Sequence, residues 1–133
     1  MTYREMVEKH REEKWSLPVS CSFANEGMEN VIKELGPEEE LVIVSNGVWM
    51  RKDQAYRYHE LKERHKEEMR EAMNDLYFAI EAMSEELKED IGTTYEPIRF
   101  MLLRLHVEPE ELDENETLSL ALDIAKQIHS SRR

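Results

Sequence analysis

Between Val48 and Ile91 the chain contains neither glycine nor proline, and from about Asp53 onward it is built mostly of good helix formers. The stretch predicts one helix of nearly forty residues over 53–91. At 1.5 Å per residue such a helix is about 55 Å long, whereas a compact chain of this size has a diameter of roughly 36 Å. A helix of that length projects from a monomer, breaks, or packs against another chain.

The apolar positions narrow these choices. Met69, Met73, Leu76, Ile80, Met83 and Leu87 alternate steps of four and three, which is a heptad seam, and Leu61 and His65 extend it less regularly toward the N-terminus. The seam is the candidate self-association surface, and a homodimer is the expected way to bury it. The alternative is burial against Ile98–Leu105 and Leu118–Ile128 of the same chain. The helix is apolar on nearly every side around Leu76-Tyr77-Phe78-Ala79-Ile80, which predicts deep burial there. By contrast, 62–68 is polar on most faces, with Glu60/Arg64 and Glu63/Lys66 at ion-pair spacing, and reads as a solvated arm.

N-terminal to this helix, Thr2-Tyr3-Arg4-Glu5 has capping-box spacing and opens a helix over about 2–14, with a narrow stripe of Tyr3, Met6, Val7 and His10. Pro18 ends that segment. Val19 to Phe23 alternates apolar and polar, the period of a half-buried strand, with Cys21 inward beside Val19 and Phe23. Asn25 is a suitable cap for a short helix carrying Met28, Val31, Ile32 and Leu35, stopped by Gly36-Pro37. Leu41–Val44 and Val48–Met50 flank Asn46-Gly47, the residues of a type I′ turn. A two-residue turn pairs Val44 with Trp49 and Ile43 with Met50, leaving both faces of the ribbon apolar. One face packs on helices. The other is covered or presents Trp49 as an anchor, and Tyr56 and Tyr58 are further candidates for exposed anchors.

Toward the C-terminus, Gly92-Thr93-Thr94 stops the long helix. Pro97 opens another, with Ile98, Met101, Leu102 and Leu105 on one face. A last helix over about 115–129, capped by Asp113 or Asn115, carries Leu118, Ala121, Leu122, Ala125 and Ile128, and Ser130 to Arg133 forms a frayed basic tail. The expected fold is α+β and predominantly helical. A small antiparallel sheet from 19–23, 41–45 and 48–52 packs on helices, one of them long and amphipathic, in a single domain spanning 1–133.

Charge and composition bound the function. Eighteen Lys and Arg against thirty Asp and Glu give a net charge of −12, which repels a phosphate backbone and suits a basic protein surface. Cys21 is the single cysteine, so no intramolecular disulfide forms. No run is long enough to cross a bilayer and the charged N-terminus lacks the apolar core of a signal peptide, so the cytoplasm is the expected home. The sequence offers no catalytic residue, cofactor site or metal site. His10, His59, His65, His106 and His129 are scattered without an HExxH pair. The calcium-loop-like start at Asp113 fails at Leu118 and Ile124, and phosphate-binding glycine motifs are absent.

These readings favour a non-enzymatic protein–protein interaction or regulatory protein, such as a small acidic inhibitor or adaptor that binds a basic protein surface. One alternative is a nucleic-acid-binding regulator using 97–128 as a helix-turn-helix-like unit, although its last helix offers Asp123 and only Lys126 before the tail. Another is a small enzyme using Cys21 or a histidine site.

Overall fold

The computed structural model describes residues 1–22, 27–89 and 97–131. Helix α1 (Tyr3–Trp15) begins with the capping box: Glu5 N–H donates to Thr2 Oγ1 at 3.1 Å and Thr2 N–H to Glu5 Oε1 at 2.8 Å. The chain continues through β1 (Ser20–Cys21), α2 (Glu29–Leu35), a 3₁₀ turn (Glu38–Glu40), β2 (Leu41–Ser45), β3 (Val48–Arg51), α3 (Ala55–Ala72), α4 (Leu76–Glu89), α5 (Pro97–Arg104), α6 (Glu111–Glu114) and α7 (Glu116–Ser131). The fold is α+β and predominantly helical, as the sequence patterns require. The chain divides into two compact units, residues 8–64 and residues 1–7 with 65–133. Phe23, the Asn25 cap, the Gly92-Thr93-Thr94 stop and Arg132-Arg133 lie outside the described residues.

The helix expected over 53–91 is two helices. Of the three outcomes open to so long a segment, it breaks, at Met73-Asn74-Asp75. Asn74 N–H bonds to Glu71 O at 3.1 Å and Asp75 N–H to Ala72 O at 3.0 Å, so the ladder tightens to 3₁₀ spacing and stops. Asp75 then restarts it, its Oδ1 accepting from Phe78 N–H and its carbonyl from Ala79 N–H, both at 2.9 Å. Asn and Asp compete with helical backbone and are good N-caps, so a two-residue polar step inside an apolar seam is enough to end one helix and begin another. Asp75→Ala is expected to cost about 1 kcal/mol of stability while Asp75→Asn costs little, checked by urea unfolding.

In the unit 8–64 the sheet order is β1-β3-β2, all antiparallel. The hairpin register differs from the expected one. Ile43 pairs with Trp49 and Val42 with Met50, and an irregularity between Ile43 and Ser45 makes Val44 a bulge. Gly47 takes φ +73° while Asn46 keeps a negative φ, so the turn is not type I′ and the extra residue is absorbed in the strand. The alternation of β1 is also opposite to expectation. Ser20 and Ser22 are buried, whereas Val19 and Cys21 are half-buried. Ser20 lies opposite Trp49, and so small a side chain is covered by a large neighbour on the same face. Ser22 is tied in by N–H to Gly47 O at 2.8 Å and Oγ to Gly27 O at 3.2 Å.

Among the described residues, Val31, Leu41, Val48, Met50 and Tyr58 are the buried apolar residues of this unit. Gly36 closes α2 at φ +119°, where a Cβ would come within 3.2 Å of Arg51 Nη1. That guanidinium donates to Leu35 O at 3.2 Å and pairs with Glu40 and Asp53, each at 3.3 Å. Glycine serves both the conformation and the space.

In the unit of residues 1–7 and 65–133, α4 packs chiefly on α7. Ala79, Ala82, Ala121 and Ala125 are fully buried, and small side chains at the crossing let the two helices approach closely. The heptad seam is used here, within the chain. Met69, Met73, Met83 and Leu87 are buried with Met101, Leu102, Leu105, Leu118 and Leu122, and Leu76 and Ile80 pack half-buried against that cluster.

Two caps fix the C-terminal helices. Asn115 Oδ1 accepts from Leu118 N–H at 3.2 Å at the start of α7. Helix α5 ends in a Schellman motif, with Val107 N–H to Leu102 O at 2.9 Å and His106 N–H to Leu103 O at 3.2 Å. His106 holds the left-handed conformation, φ +61°, that glycine usually supplies.

Candidate docking cleft

A residue run that is apolar on every side has one more face than a single core covers. Helix α4 directs Ala79, Ala82, Met83 and Leu87 inward, and Phe78 is covered by Tyr3, the two rings meeting edge to face at 5.9 Å. Tyr77 is left 82% exposed, against the expectation that 76–80 is buried throughout. It borders a cleft of ≈ 450 Å³ at the junction of α3, α4 and the first turn of α1. Met1, Met6, Ala72 and Phe78 form its apolar lining beside Tyr77, and Thr2, Asp75 and Glu81 supply its polar groups.

The first turn of α1 is anchored beside the cleft by α4. Tyr3 N–H donates to Glu81 Oε1 and Tyr3 O–H to Glu86 Oε1. Arg104 Nε donates to the other oxygen of Glu86 at 2.5 Å, and Arg4 pairs with Glu85 at 3.2 Å. The Tyr3 hydroxyl is held well above the ordinary phenol range, chiefly by burial and then by its bond to the Glu86 carboxylate. A raised folded value means that this contribution is complete below about pH 10, where an unfolded tyrosine ionises, and declines as pH rises. Tyr3→Phe is expected to cost about 1.5–3 kcal/mol at neutral pH, the range for a hydrogen bond to a charged group, and to flatten the alkaline loss of stability. Urea melts at pH 7 and above pH 10 check both.

Electrostatics favour cations here. Residues 1–7 and 65–133 hold eighteen of the thirty acidic side chains and nine of the eighteen basic ones, so most of the net charge of −12 belongs to this unit. Asp75 and Glu81 bring that charge to the cleft. Farther along the unit, Arg70 donates to Glu111 Oε1 at 2.8 Å and so lowers the Glu111 pKa.

The residues singled out from sequence fall elsewhere. The seam residues Met69, Met73, Leu76, Ile80, Met83 and Leu87 serve the internal core. Of the proposed anchors, Tyr56 is exposed, Trp49 half-buried, and Tyr58 only 7% exposed. Tyr58 is therefore not an exposed anchor: it shares one face of α3 with half-buried Leu61, three residues on, and that face of the presumed arm turns inward. Cys21 is half-buried opposite Val48. Sequence reasoning missed Tyr77, Met6 and Glu81. The available signal was the all-round apolar run at 76–80 in a chain otherwise rich in charge.

The model of a protein family described as "Family of unknown function (DUF7659)" matches residues 2–127. The chain belongs to this family. The matched span reaches into both units and includes every residue of the cleft except Met1. No curated protein and no solved structure matches the chain. Among the described residues, no helix of this family member is long and apolar enough to cross a membrane.

Proposed function

We propose that this member of the family is a non-enzymatic interaction protein, an acidic adaptor or inhibitor that docks an apolar anchor from the basic surface of a partner protein. The observation that carries the reading is Tyr77, 82% exposed beside an apolar cleft bordered by Asp75 and Glu81. Exposed aromatic residues beside pockets supply binding energy, and a surrounding field of opposite sign selects and steers the partner. We place the protein in the cytoplasm on the strength of its single cysteine. The heptad seam supports no dimer in this reading, because its side chains are spent on the chain's own core.

The test is site-specific photo-crosslinking in the native cell, with the crosslinker at position 77 and a control at the exposed Tyr56. The expected result is a discrete product from position 77, absent from position 56, whose partner binds the purified protein and releases it as salt rises. Equal products from both positions, or binding insensitive to salt, would overturn the proposal.

A further inference from the structure

We propose that the outer edge of β2 accepts an extended peptide as a fourth strand, running antiparallel and carrying basic residues at its C-terminal end. This surface belongs to the unit 8–64 and is independent of the cleft. The sheet order leaves β2 at an edge. Lys52 N–H bonds to Glu40 O at 2.8 Å, and with Val42 opposite Met50 this sets the alternation of the ladder. The backbone groups of Glu40 and Val42 face β3, and those of Leu41 and Ile43 face outward. Leu41 N–H bonds back to Glu38 O, whereas no backbone hydrogen bond outside the ladder engages Leu41 C=O or the N–H and C=O of Ile43 among the described residues.

Edge strands that must not pair are usually shielded by charge, proline or strong irregularity. Leu41-Val42-Ile43-Val44-Ser45 has neither a charge nor a proline, its bulge falls beyond Ile43, and the Ile43 side chain is 51% exposed. An incoming strand therefore meets the Leu41 carbonyl, both backbone groups of Ile43 and an apolar side chain on the sheet face. The direction and charge of the occupant follow from Glu38 and Glu39, which are exposed immediately before β2 and engaged by no cation among the described residues. An antiparallel peptide brings its C-terminal residues past them, so lysine or arginine there completes the match. A second copy of the chain fits less well, since it carries the same net charge of −12.

The probe is a blocked eight-residue peptide alternating valine and threonine and ending in two lysines, titrated into the isotope-labelled full chain. Hydrogen exchange at the Ile43 amide is expected to slow about tenfold near saturation. Moving the lysines to the N-terminal end, or introducing Glu38→Gln with Glu39→Gln, is expected to weaken binding about threefold or more. Ile43→Pro removes one outward donor and is expected to weaken binding about tenfold while leaving the β2–β3 ladder intact. If that variant does not fold, Ile43→Lys on the same exposed side chain is expected to weaken the cationic peptide through repulsion. Binding that ignores the position 43 variants or the lysine placement overturns the proposal. So does protection confined to other strands, or protection of the Ile43 amide without peptide in a sample whose molar mass is that of a dimer.

Discussion

Met83→Ala is expected to lower the free energy of unfolding by about 2–5 kcal/mol, the range for emptying a fully buried methionine site. Met83 has no exposed surface and lies on α4, which packs on α7, in the core cluster that also holds Ala79, Ala82, Ala121 and Ala125. Those alanines make the site unforgiving. Side chains cut back to a methyl group cannot swing into a vacated volume, and helices already in close approach have little travel left, so most of the cavity persists. Urea unfolding followed by far-UV circular dichroism reads the loss. The same experiment tests how the seam is used. A core closed within one chain gives a midpoint independent of protein concentration, whereas a seam shared between two chains gives a midpoint that rises with concentration in the parent and less so in the variant.

The seam also shows what the sequence carried. Its spacing identified which residues leave water, because burial of a helix face is written in a periodicity local to the chain. It did not identify what covers them. Leu118, Ala121, Leu122 and Ala125 form an equally regular face some forty residues away, and pairing two such faces within a chain or between chains is a matter of tertiary geometry. Local chemistry was legible wherever it decided the outcome: the Thr2–Glu5 box, the Asn115 cap and the starts of α5 and α7 stand where the residues place them. The break at Asn74-Asp75 was written in equally local terms and was masked by the apolar periodicity running through it.

The remaining differences have nonlocal causes. The bulge at Val44 shifts the hairpin register by one residue, and the burial of Ser20 depends on Trp49 across the sheet. The cleft was legible only as an excess. A segment apolar all round, with a tyrosine left outward after α7 and Tyr3 have taken their sides, comes to border a cleft through the placement of elements remote from it in sequence.

Tyr77→Ala is expected to weaken binding of the crosslinked partner about 30-fold or more, the loss that marks a dominant interface residue, with unfolding unchanged within about 0.5 kcal/mol. The two outcomes separate because Tyr77 is 82% exposed and contributes little to the core, so whatever its ring does is done outside the chain. Tyr77→Phe, which keeps the ring, is expected to retain most of the affinity. The acidic groups require substitutions that leave local structure intact. Asp75→Asn preserves the cap on α4, and Glu81→Gln preserves an acceptor for Tyr3 N–H, so the pair removes two charges without removing either bond. Isothermal titration across a salt series is then expected to show the parent losing affinity as salt rises, and the double variant binding more weakly at low salt with a shallower salt dependence. If the excess acid served only to keep the protein soluble, the two salt curves would be parallel. Unequal slopes therefore assign the charge at Asp75 and Glu81 to recognition, and the affinity of Tyr77→Phe relative to Tyr77→Ala measures how much of that recognition rests on one aromatic ring.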